Sequence, residues 1–249
     1  MNNRCFFTIA DQANMSYYGI LKNSLAKFTK DPLILIDQQK IQQLGDPNFF
    51  YRATPIIAKA LLRDYDAVCK LDADQIIFGN PQHIWDGDYD VAVVRNSNPK
   101  EYKKYPLHLL DIDPLSYVNC GFVVLKSKIF VDHWLSLCMS NHFNNFQYKE
   151  QDLLNIMIFY MSKEFGGPYT VKFLDDSNKW HGLVWKGYEP MVKLKDNKFI
   201  LEKNDEWPKD SDKELVCWHV AGGNTPNKMN FKIRFQPDAV KRIEELINP

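Results

Sequence analysis

The chain has 249 residues, of which 45% are hydrophobic and 25% charged, and its 31 basic and 31 acidic residues give a formal net charge of zero. This length is sufficient to bury a substantial core, and we expect one large α/β domain with an appended C-terminal segment. A neutral charge balance gives no electrostatic reason to expect a nucleic-acid partner or binding to an anionic membrane surface.

The N-terminal residues and the cysteines bear on the cellular compartment. A short apolar stretch near the N-terminus ends at Asp11, which is too early for the core of a signal peptide, and no apolar run approaches the roughly 20 residues of a membrane helix. We therefore expect a cytoplasmic protein with no transmembrane segment. The cysteines are odd in number and scattered, which favours buried, reduced thiols over disulfides or a zinc site; they are Cys5, Cys69, Cys120, Cys138 and Cys217.

The first third of the chain predicts a strand, a helix and a second strand. Residues 5 to 10 are a continuous apolar run, residues 17 to 28 carry apolar side chains at helical spacing, and a second apolar run follows at 33 to 36. This order is typical of a parallel strand pair joined by a crossover helix. Three more elements are predicted before residue 95: a helix from about 50 to 63, a strand from 67 and a strand from 89 to 94.

The rest of the chain begins with a polar stretch from 95 to 116, which we expect to be a long functional loop. A strand at 121 to 125 and a helix capped by Ser127 follow. The last predicted elements are a helix from about Glu150 to a stop at Gly166-Gly167-Pro168, short strands near 171 to 174, 191 to 194, 198 to 201 and 215 to 220, and a terminal helix from about Pro237 to Ile247.

Two carboxylates, Asp72 and Asp74, interrupt the apolar stretch that begins at residue 67. The sequence contains six Asp-x-Asp pairs, but only this one directly follows a buried-looking strand. Residues i and i+2 of an extended chain face the same way, so the two charges project together and repel each other. A hard divalent ion, Mg²⁺ or Mn²⁺, that also bridges to substrate phosphates would relieve this repulsion. The alternative is a plain ion pair between Asp72 and Lys70, which lies on the same face.

The stretch "YDAVCKLDADQIIFGN" resembles the Asp-x-Asp block of A-type (GT-A) glycosyltransferases, especially the family 8 group that includes glycogenin and bacterial lipopolysaccharide galactosyltransferases. Further matching blocks follow the same order and together cover roughly residues 5 to 228: "FFTIADQANMSYYGILKNSL", "VNCGFVVLKSKIF", "KEQDLLN" and "CWHVAGGNTPNK".

The resemblance implies an α/β, Rossmann-like fold. Its mixed, mainly parallel sheet would be flanked by helices and followed by a small strand-rich segment and a terminal helix. One glycosyltransferase domain would span residues 1–249, with a nucleotide-binding part at about 1–95 and an acceptor- and sugar-binding part at about 96–249.

The resemblance also implies roles for single residues. The metal ligands would be Asp72, Asp74 and His219, with Mn²⁺ or Mg²⁺ as the cofactor. The nucleotide contacts would be Thr8, Ala10, Asp11, Asp72, Gly222 and Lys228, the donor sugar and acceptor contacts Asn119 and Gly121, and the catalytic residues Gln151, Glu150 and Asp152. Arg52, in the helix before the metal strand, is a further candidate for the nucleotide.

These assignments have structural alternatives and some departures from the family pattern. Glu150 and Asp152 also suit the first turn of a helix, where acids complement the helix dipole, and His219 also suits a hydrogen-bonded core position. Thr225 stands where the family has the diphosphate lysine, so that contact comes from Lys228 or is absent. Lys70 occupies a position that is commonly apolar or aromatic in the family.

The sequence therefore predicts a metal-dependent glycosyltransferase, a hexosyltransferase that moves a sugar with retention from a nucleotide-diphosphate sugar, above all a UDP-sugar, to a saccharide or other hydroxyl acceptor. Three alternatives remain open: a nucleotide-sugar-binding protein without activity, a nucleotidyltransferase, and a phosphatase of the haloacid dehalogenase type. Nucleotidyltransferases usually carry glycines after the first strand, and these phosphatases usually carry one after the Asp-x-Asp pair. Both are missing here.

Overall fold

The computed structural model of the chain describes residues 3–43, 51–95, 112, 116–184, 191–202, 212–220 and 237–248. Those residues form eleven strands and six α-helices. In chain order they are β1 Arg4–Ala10, α1 Met15–Ala26, β2 Leu33–Asp37, α2 Gln38–Gln43, α3 Ala53–Leu61, β3 Ala67–Leu71, β4 Gln75–Ile77, β5 Val91–Arg95, β6 Val118–Leu125, α4 Lys128–Cys138, α5 Glu150–Tyr160, β7 Val171–Phe173, β8 Lys179–Val184, β9 Val192–Lys195, β10 Lys198–Leu201, β11 Glu214–Val220 and α6 Pro237–Ile247.

The large sheet has six strands in the order β2-β1-β3-β6-β5-β7. Strand β6 runs antiparallel to β3 and β5, while the other neighbouring pairs are parallel. All five residues of β3 are buried, as expected for a central strand covered on both faces. Apolar residues of α3, α4 and α5 pack on one face, and Leu21 and Leu25 of α1 pack with Trp85 on the other.

The small sheet has the order β4-β11-β10-β9, and β8 pairs in parallel with β11. Helix α6 closes it through Ala239, Ile243 and Leu246, which pack with Phe199 and Trp218. The chain passes from the large sheet to the small one between β3 and β4. Only Asp72, Ala73 and Asp74 separate these two strands, so the Asp-x-Asp pair lies where the two sheets meet.

The fold confirms the predicted class: a mixed, mainly parallel sheet flanked by helices, a strand-rich segment and a terminal helix. The prediction was wrong in details. The helix expected at 50 to 63 is Ala53–Leu61 in the structure, and α2, β4 and β8 were not predicted. All five cysteines are buried and free, as expected. No helix among the described residues has the length and apolar content to cross a membrane. The predicted loop at 95 to 116 lies almost entirely outside the described residues.

Candidate metal and nucleotide site

Asp72, Asp74 and His219 come together at the junction of the two sheets. Strand β11 pairs antiparallel with β4 so that His219 lies opposite Gln75, the residue that follows Asp74. The Nε2 atom of His219 is 3.1 Å from Oδ1 of Asp74 and 3.3 Å from Oδ2 of Asp72. One ligand atom from each of the three residues lies within 4.8 Å of the others. The pairing of β4 with β11, which the sequence did not predict, therefore builds the cluster.

The donor set fits a hard divalent cation. Ligand atoms that occupy neighbouring positions on an octahedral ion with bonds of about 2.1 Å lie about 3 Å apart, and the two distances from the imidazole match this spacing. Two carboxylates with one imidazole suit Mg²⁺ or Mn²⁺ better than a soft metal, because no thiolate contributes to the cluster. The residues that the resemblance named as metal ligands are thus close enough to share one ion.

The charges of the cluster depend on one another. Burial works to lower the pKa of His219, but the charges of Asp74 and Asp72 outweigh it, so the pKa is raised. Burial likewise works to raise the pKa of Asp72, while Lys70 and His219 outweigh it and lower the pKa. Without a metal, the carboxylates are therefore neutralised by the groups around them.

Lys70 forms the ion pair that the sequence left open as an alternative. Its Nζ donates to Oδ1 of Asp72, and to the backbone oxygen of Cys120 at 2.9 Å. Burial works to lower the pKa of Lys70, but the charges of Asp72 and Glu150 outweigh it and raise the pKa. The ion pair and the metal cluster coexist, because Oδ1 of Asp72 faces Lys70 while Oδ2 faces His219.

Gly121 packs its backbone directly against the histidine. A Cβ atom at this position would lie 2.3 Å from Cε1 of His219 and 2.6 Å from Oδ1 of Asn119. The oxygen of Gly121 accepts hydrogen bonds from the Asp72 backbone N–H at 2.9 Å and from Gln75 Nε2 at 2.7 Å. The side chain of Asn119 accepts from the Gly121 N–H at 2.6 Å. The predicted sugar and acceptor residues therefore also support the metal cluster.

Helix α5 brings Gln151 and Asp152 against strand β6. Gln151 Oε1 accepts from the Cys120 N–H at 3.0 Å, and its Nε2 donates to the Tyr117 hydroxyl at 3.1 Å. Asp152 is buried and accepts from the Tyr117 hydroxyl at 2.6 Å and from the Tyr148 N–H at 2.7 Å. Hydrogen bonds therefore fix both side chains, and Gln151 contacts Cys120, the residue directly before Gly121.

Glu150 is anchored to another helix. Its carboxylate accepts from the Thr54 hydroxyl at 2.8 Å and from the Thr54 N–H at 3.3 Å, in the first turn of α3. Burial is the main cause that raises the pKa of Glu150 to about 7, although Lys70 and Thr54 oppose it. Glu150 therefore contacts the N-terminus of α3 as well as lying in the first turn of its own helix, α5.

Three of the predicted nucleotide residues, Thr8, Ala10 and Asp11, lie in β1 or directly after it. Thr8 is fully buried, and its hydroxyl has no hydrogen-bond partner among the described residues. Asp11 caps the short turn 12–14 by accepting from the backbone and side-chain N–H groups of Asn14. Ala10 packs in the small apolar cluster beside the Asp-x-Asp turn. The guanidinium of Arg52 lies 4.4 Å from the centre of the Phe143 ring. Gly222 and Lys228 lie outside the described residues.

Tyr17 is a further candidate site residue, which the sequence analysis treated only as part of a helix face. Its ring packs with Ala10 and Ala73, and its buried hydroxyl has no partner among the described residues. Burial, and then the charge of Asp74, raise the pKa of Tyr17. The sequence carried no signal for this role, because the contact of Tyr17 with Ala10 and Ala73 is set by how α1 packs on the sheet.

The fold is that of the A-type glycosyltransferases. The structure of WbbM, a bifunctional glycosyltransferase in its apo form, matches with a TM-score of 0.59 and 16% identity over 97% of this chain, which spans 50% of the WbbM chain. The galactosyltransferase LgtC, in complex with donor and acceptor sugar analogs, matches with a TM-score of 0.57 and 16% identity, covering 97% of this chain and 94% of that one.

Mouse xyloside xylosyltransferase 1 in its apo form also matches, with a TM-score of 0.53, 10% identity and coverage of 90% of this chain and 99% of that one. No protein-family model and no curated protein sequence matches the chain. The fold and the resemblance in sequence thus point to the same class of protein, while the low identities leave donor and acceptor to be inferred from the site.

Proposed function

We propose that this protein is a divalent-metal-dependent glycosyltransferase that uses a nucleotide-diphosphate sugar, with UDP as the nucleotide, and a saccharide or other hydroxyl acceptor. The observation that carries the proposal is the Asp72, Asp74 and His219 cluster at the junction of the two sheets in a GT-A fold. The neighbour LgtC was solved with donor and acceptor sugar analogs, which supports these two partner classes for the present chain.

The proposed reaction breaks the bond between the anomeric carbon of the sugar and the diphosphate, and forms a bond from that carbon to the acceptor oxygen. The acceptor proton leaves with the departing diphosphate or to water. Mn²⁺ or Mg²⁺, when bound, would stabilise the negative charge that develops on the diphosphate. Asp72, Asp74 and His219 would hold the ion and thereby fix the position of the leaving group.

The chain's own side chains would orient the sugar. Gln151 would present its amide oxygen, which has one lone pair left beyond the Cys120 contact, to the positively charged anomeric centre. This would favour retention, since the acceptor then attacks from the leaving-group side. Asn119 and Gly121 would border the sugar, and Asp152 would act through Tyr117, whose hydroxyl it fixes in place.

The nucleotide would lie over the ends of β1 and α1. Thr8 and Tyr17 supply two buried hydroxyls without partners among the described residues, and Asp11 ends the first strand beside them. We propose that residues up to about 95 form the nucleotide-binding part and that the following residues form the acceptor part. His219 would then link the second part to the ion held by the first.

Isothermal titration calorimetry and donor hydrolysis test the proposal. The protein is incubated with a panel of nucleotide sugars and Mn²⁺, and release of the free nucleotide is followed. We expect one donor to be hydrolysed slowly, and Asp74→Asn to lower Mn²⁺-dependent UDP binding at least tenfold. Asp88→Asn is the matched control, because Asp88 belongs to another Asp-x-Asp pair and is exposed. Absence of nucleotide binding in the presence of Mn²⁺ would falsify the proposal.

One observation favours a second candidate, a nucleotide-sugar-binding protein without transfer activity. Lys70 already neutralises one oxygen of Asp72, so the cluster is partly balanced before any ion binds. In that case UDP binding would persist while no donor is hydrolysed and no acceptor is modified. The hydrolysis assay therefore separates the two candidates directly.

A further inference from the structure

Lys70 is a fixed part of the candidate metal cluster. It lies in β3, two residues before Asp72, with only 5% of its surface exposed. The carbonyl of Cys120 and one carboxylate oxygen of Asp72 hold its ammonium group. A lysine side chain normally keeps its charge in water on a flexible stem. Here the charge is buried and held by Asp72, directly after its own strand, and by Cys120 on the neighbouring strand β6, so it stays next to the cluster.

The charge of Lys70 changes what the cluster offers to a cation. The ligand set that an ion would contact is two carboxylates and an imidazole, which must be neutral to coordinate; this set has a charge of −2, and the ammonium reduces it to −1. Lys70 also uses one of the two oxygens of Asp72. Affinity for hard divalent ions depends on the number and charge of the oxygen ligands. The cluster should therefore bind a bare divalent ion weakly.

We propose that Lys70 makes divalent-ion binding depend on the nucleotide. Because the ammonium lowers the affinity for the ion alone, the diphosphate must supply the missing negative charge, and the ion and the nucleotide bind together. This inference rests on the proposed function, in which the diphosphate also contacts the ion, and it adds that Lys70 strengthens the coupling beyond the effect of that contact. By thermodynamic linkage, each ligand then raises the affinity of the other by the same factor.

Packing alone does not account for a lysine at this position. The neighbouring residues in register, Phe7 on β1 and Val123 on β6, are apolar and buried. Burying an ammonium group carries a desolvation cost that an apolar side chain of the same length avoids. Replacing Lys70 with an apolar side chain of similar length therefore removes its charge while keeping most of its packing.

The test measures Mn²⁺ binding by calorimetry, with and without UDP, for four proteins: the wild type, Lys70→Met, Lys70→Arg and Lys59→Met. Methionine matches lysine in length but has no charge, and arginine keeps the charge. Lys59 is the remote control, since it forms an exposed ion pair with Asp132 on the helices α3 and α4. Thermal melts followed by circular dichroism report whether each variant is folded.

We expect UDP to raise the Mn²⁺ affinity of the wild type at least tenfold. Lys70→Met should bind Mn²⁺ alone at least tenfold more tightly than the wild type, whereas Lys70→Arg and Lys59→Met should stay within threefold of it. A folded Lys70→Met variant with unchanged or weaker Mn²⁺ binding would contradict the inference. If that variant does not fold, the wild type still decides, because Mn²⁺ affinity that is the same with and without UDP also overturns the inference.

These outcomes differ from failure of the proposed function. A protein that binds neither UDP with Mn²⁺ nor any donor refutes the glycosyltransferase proposal as a whole. A protein that hydrolyses a donor, but whose affinity for bare Mn²⁺ is unaffected by Lys70→Met, refutes only the role given to Lys70.

Discussion

Gly121 shows how a single residue without a side chain supports the candidate site. Its Cα hydrogen occupies space that a methyl group would share with Cε1 of His219, at only 2.3 Å. We predict that Gly121→Ala displaces the imidazole and weakens Mn²⁺ binding in the presence of UDP at least tenfold. Calorimetric titration of Mn²⁺ into the UDP-bound variant measures this loss.

Gly19 provides the matched control for this substitution. It lies inside α1, and a Cβ atom there would meet nothing within 4 Å. Gly19→Ala should therefore leave Mn²⁺ binding unchanged and stabilise the protein by about 0.5–1 kcal/mol, because alanine favours the helix. Equal Mn²⁺ affinity in Gly121→Ala and Gly19→Ala would show that Gly121 does not shape the cluster.

At the level of residues, the sequence predicted the two aspartates of the cluster because their pattern is local. Asp72 and Asp74 were separated from five similar pairs by the apolar strand before them, and His219 came from the resemblance. The structure brings these three together. Tyr17 was missed as a site residue, because its relation to Ala73 depends on how α1 packs on the sheet, which no local pattern contains.

Glu150 links two helices, and its pKa makes that link depend on pH. The carboxylate contacts Thr54 at the start of α3, and burial raises its pKa to about 7 from the ordinary value of 4.5. The folded protein therefore binds this proton more tightly than the unfolded chain. Stability falls as the pH rises from about 4.5 to 7, and the full loss is present above 7.

We predict that Glu150→Gln removes this loss while keeping an acceptor for Thr54. One pKa unit corresponds to about 1.4 kcal/mol of unfolding free energy, and partial exposure of the side chain reduces the effect. The unfolding free energy of the variant, relative to that of the wild type, should therefore rise by about 2 kcal/mol from pH 5 to pH 8. Urea unfolding at both pH values measures this gain. The control is Glu164→Gln, because Glu164 is exposed. Its difference in unfolding free energy from the wild type should be the same at pH 5 and at pH 8. A pH-independent difference for Glu150→Gln would contradict the prediction.

At the level of elements, segments with a clear apolar pattern were predicted close to their observed positions, including the short strands β7, β9, β10 and β11, whereas α2, β4 and β8 were not predicted. The terminal helix Pro237–Ile247 matches its predicted bounds, and the helix from Glu150 begins where it was predicted but ends at Tyr160, before the predicted stop at Gly166. Strand β4 has three residues and was merged with β3 because both are apolar. Strand β8 mixes polar and apolar residues without regular alternation and contains Gly182, so only its pairing with β11 defines it.

The whole molecule joins two sheets through one small cluster. Asp72 directly follows β3 of the large sheet. Asp74 directly precedes β4 of the small sheet, and His219 lies in β11 of that sheet. An ion shared by these residues would therefore tie the sheets together. The small sheet is also held in place by its apolar cluster and by the pairing of β4 with β11. When no ion is bound, His219 contacts both carboxylates and balances their charge.

We predict that Mn²⁺ with UDP stabilises the folded protein and that a chelator does not unfold it. Ligands at 100 times their dissociation constant add about 2.7 kcal/mol, and each kcal/mol shifts the melting temperature of a chain of this size by about 2–4 °C. Differential scanning fluorimetry should therefore show a rise of about 5–10 °C, which Asp74→Asn abolishes and Asp88→Asn retains. EDTA should return the melting temperature to that of the metal-free protein without loss of the folded baseline, because the core and the histidine contacts do not require the ion. Unfolding by EDTA at room temperature would instead mean that the two sheets depend on the metal to stay together.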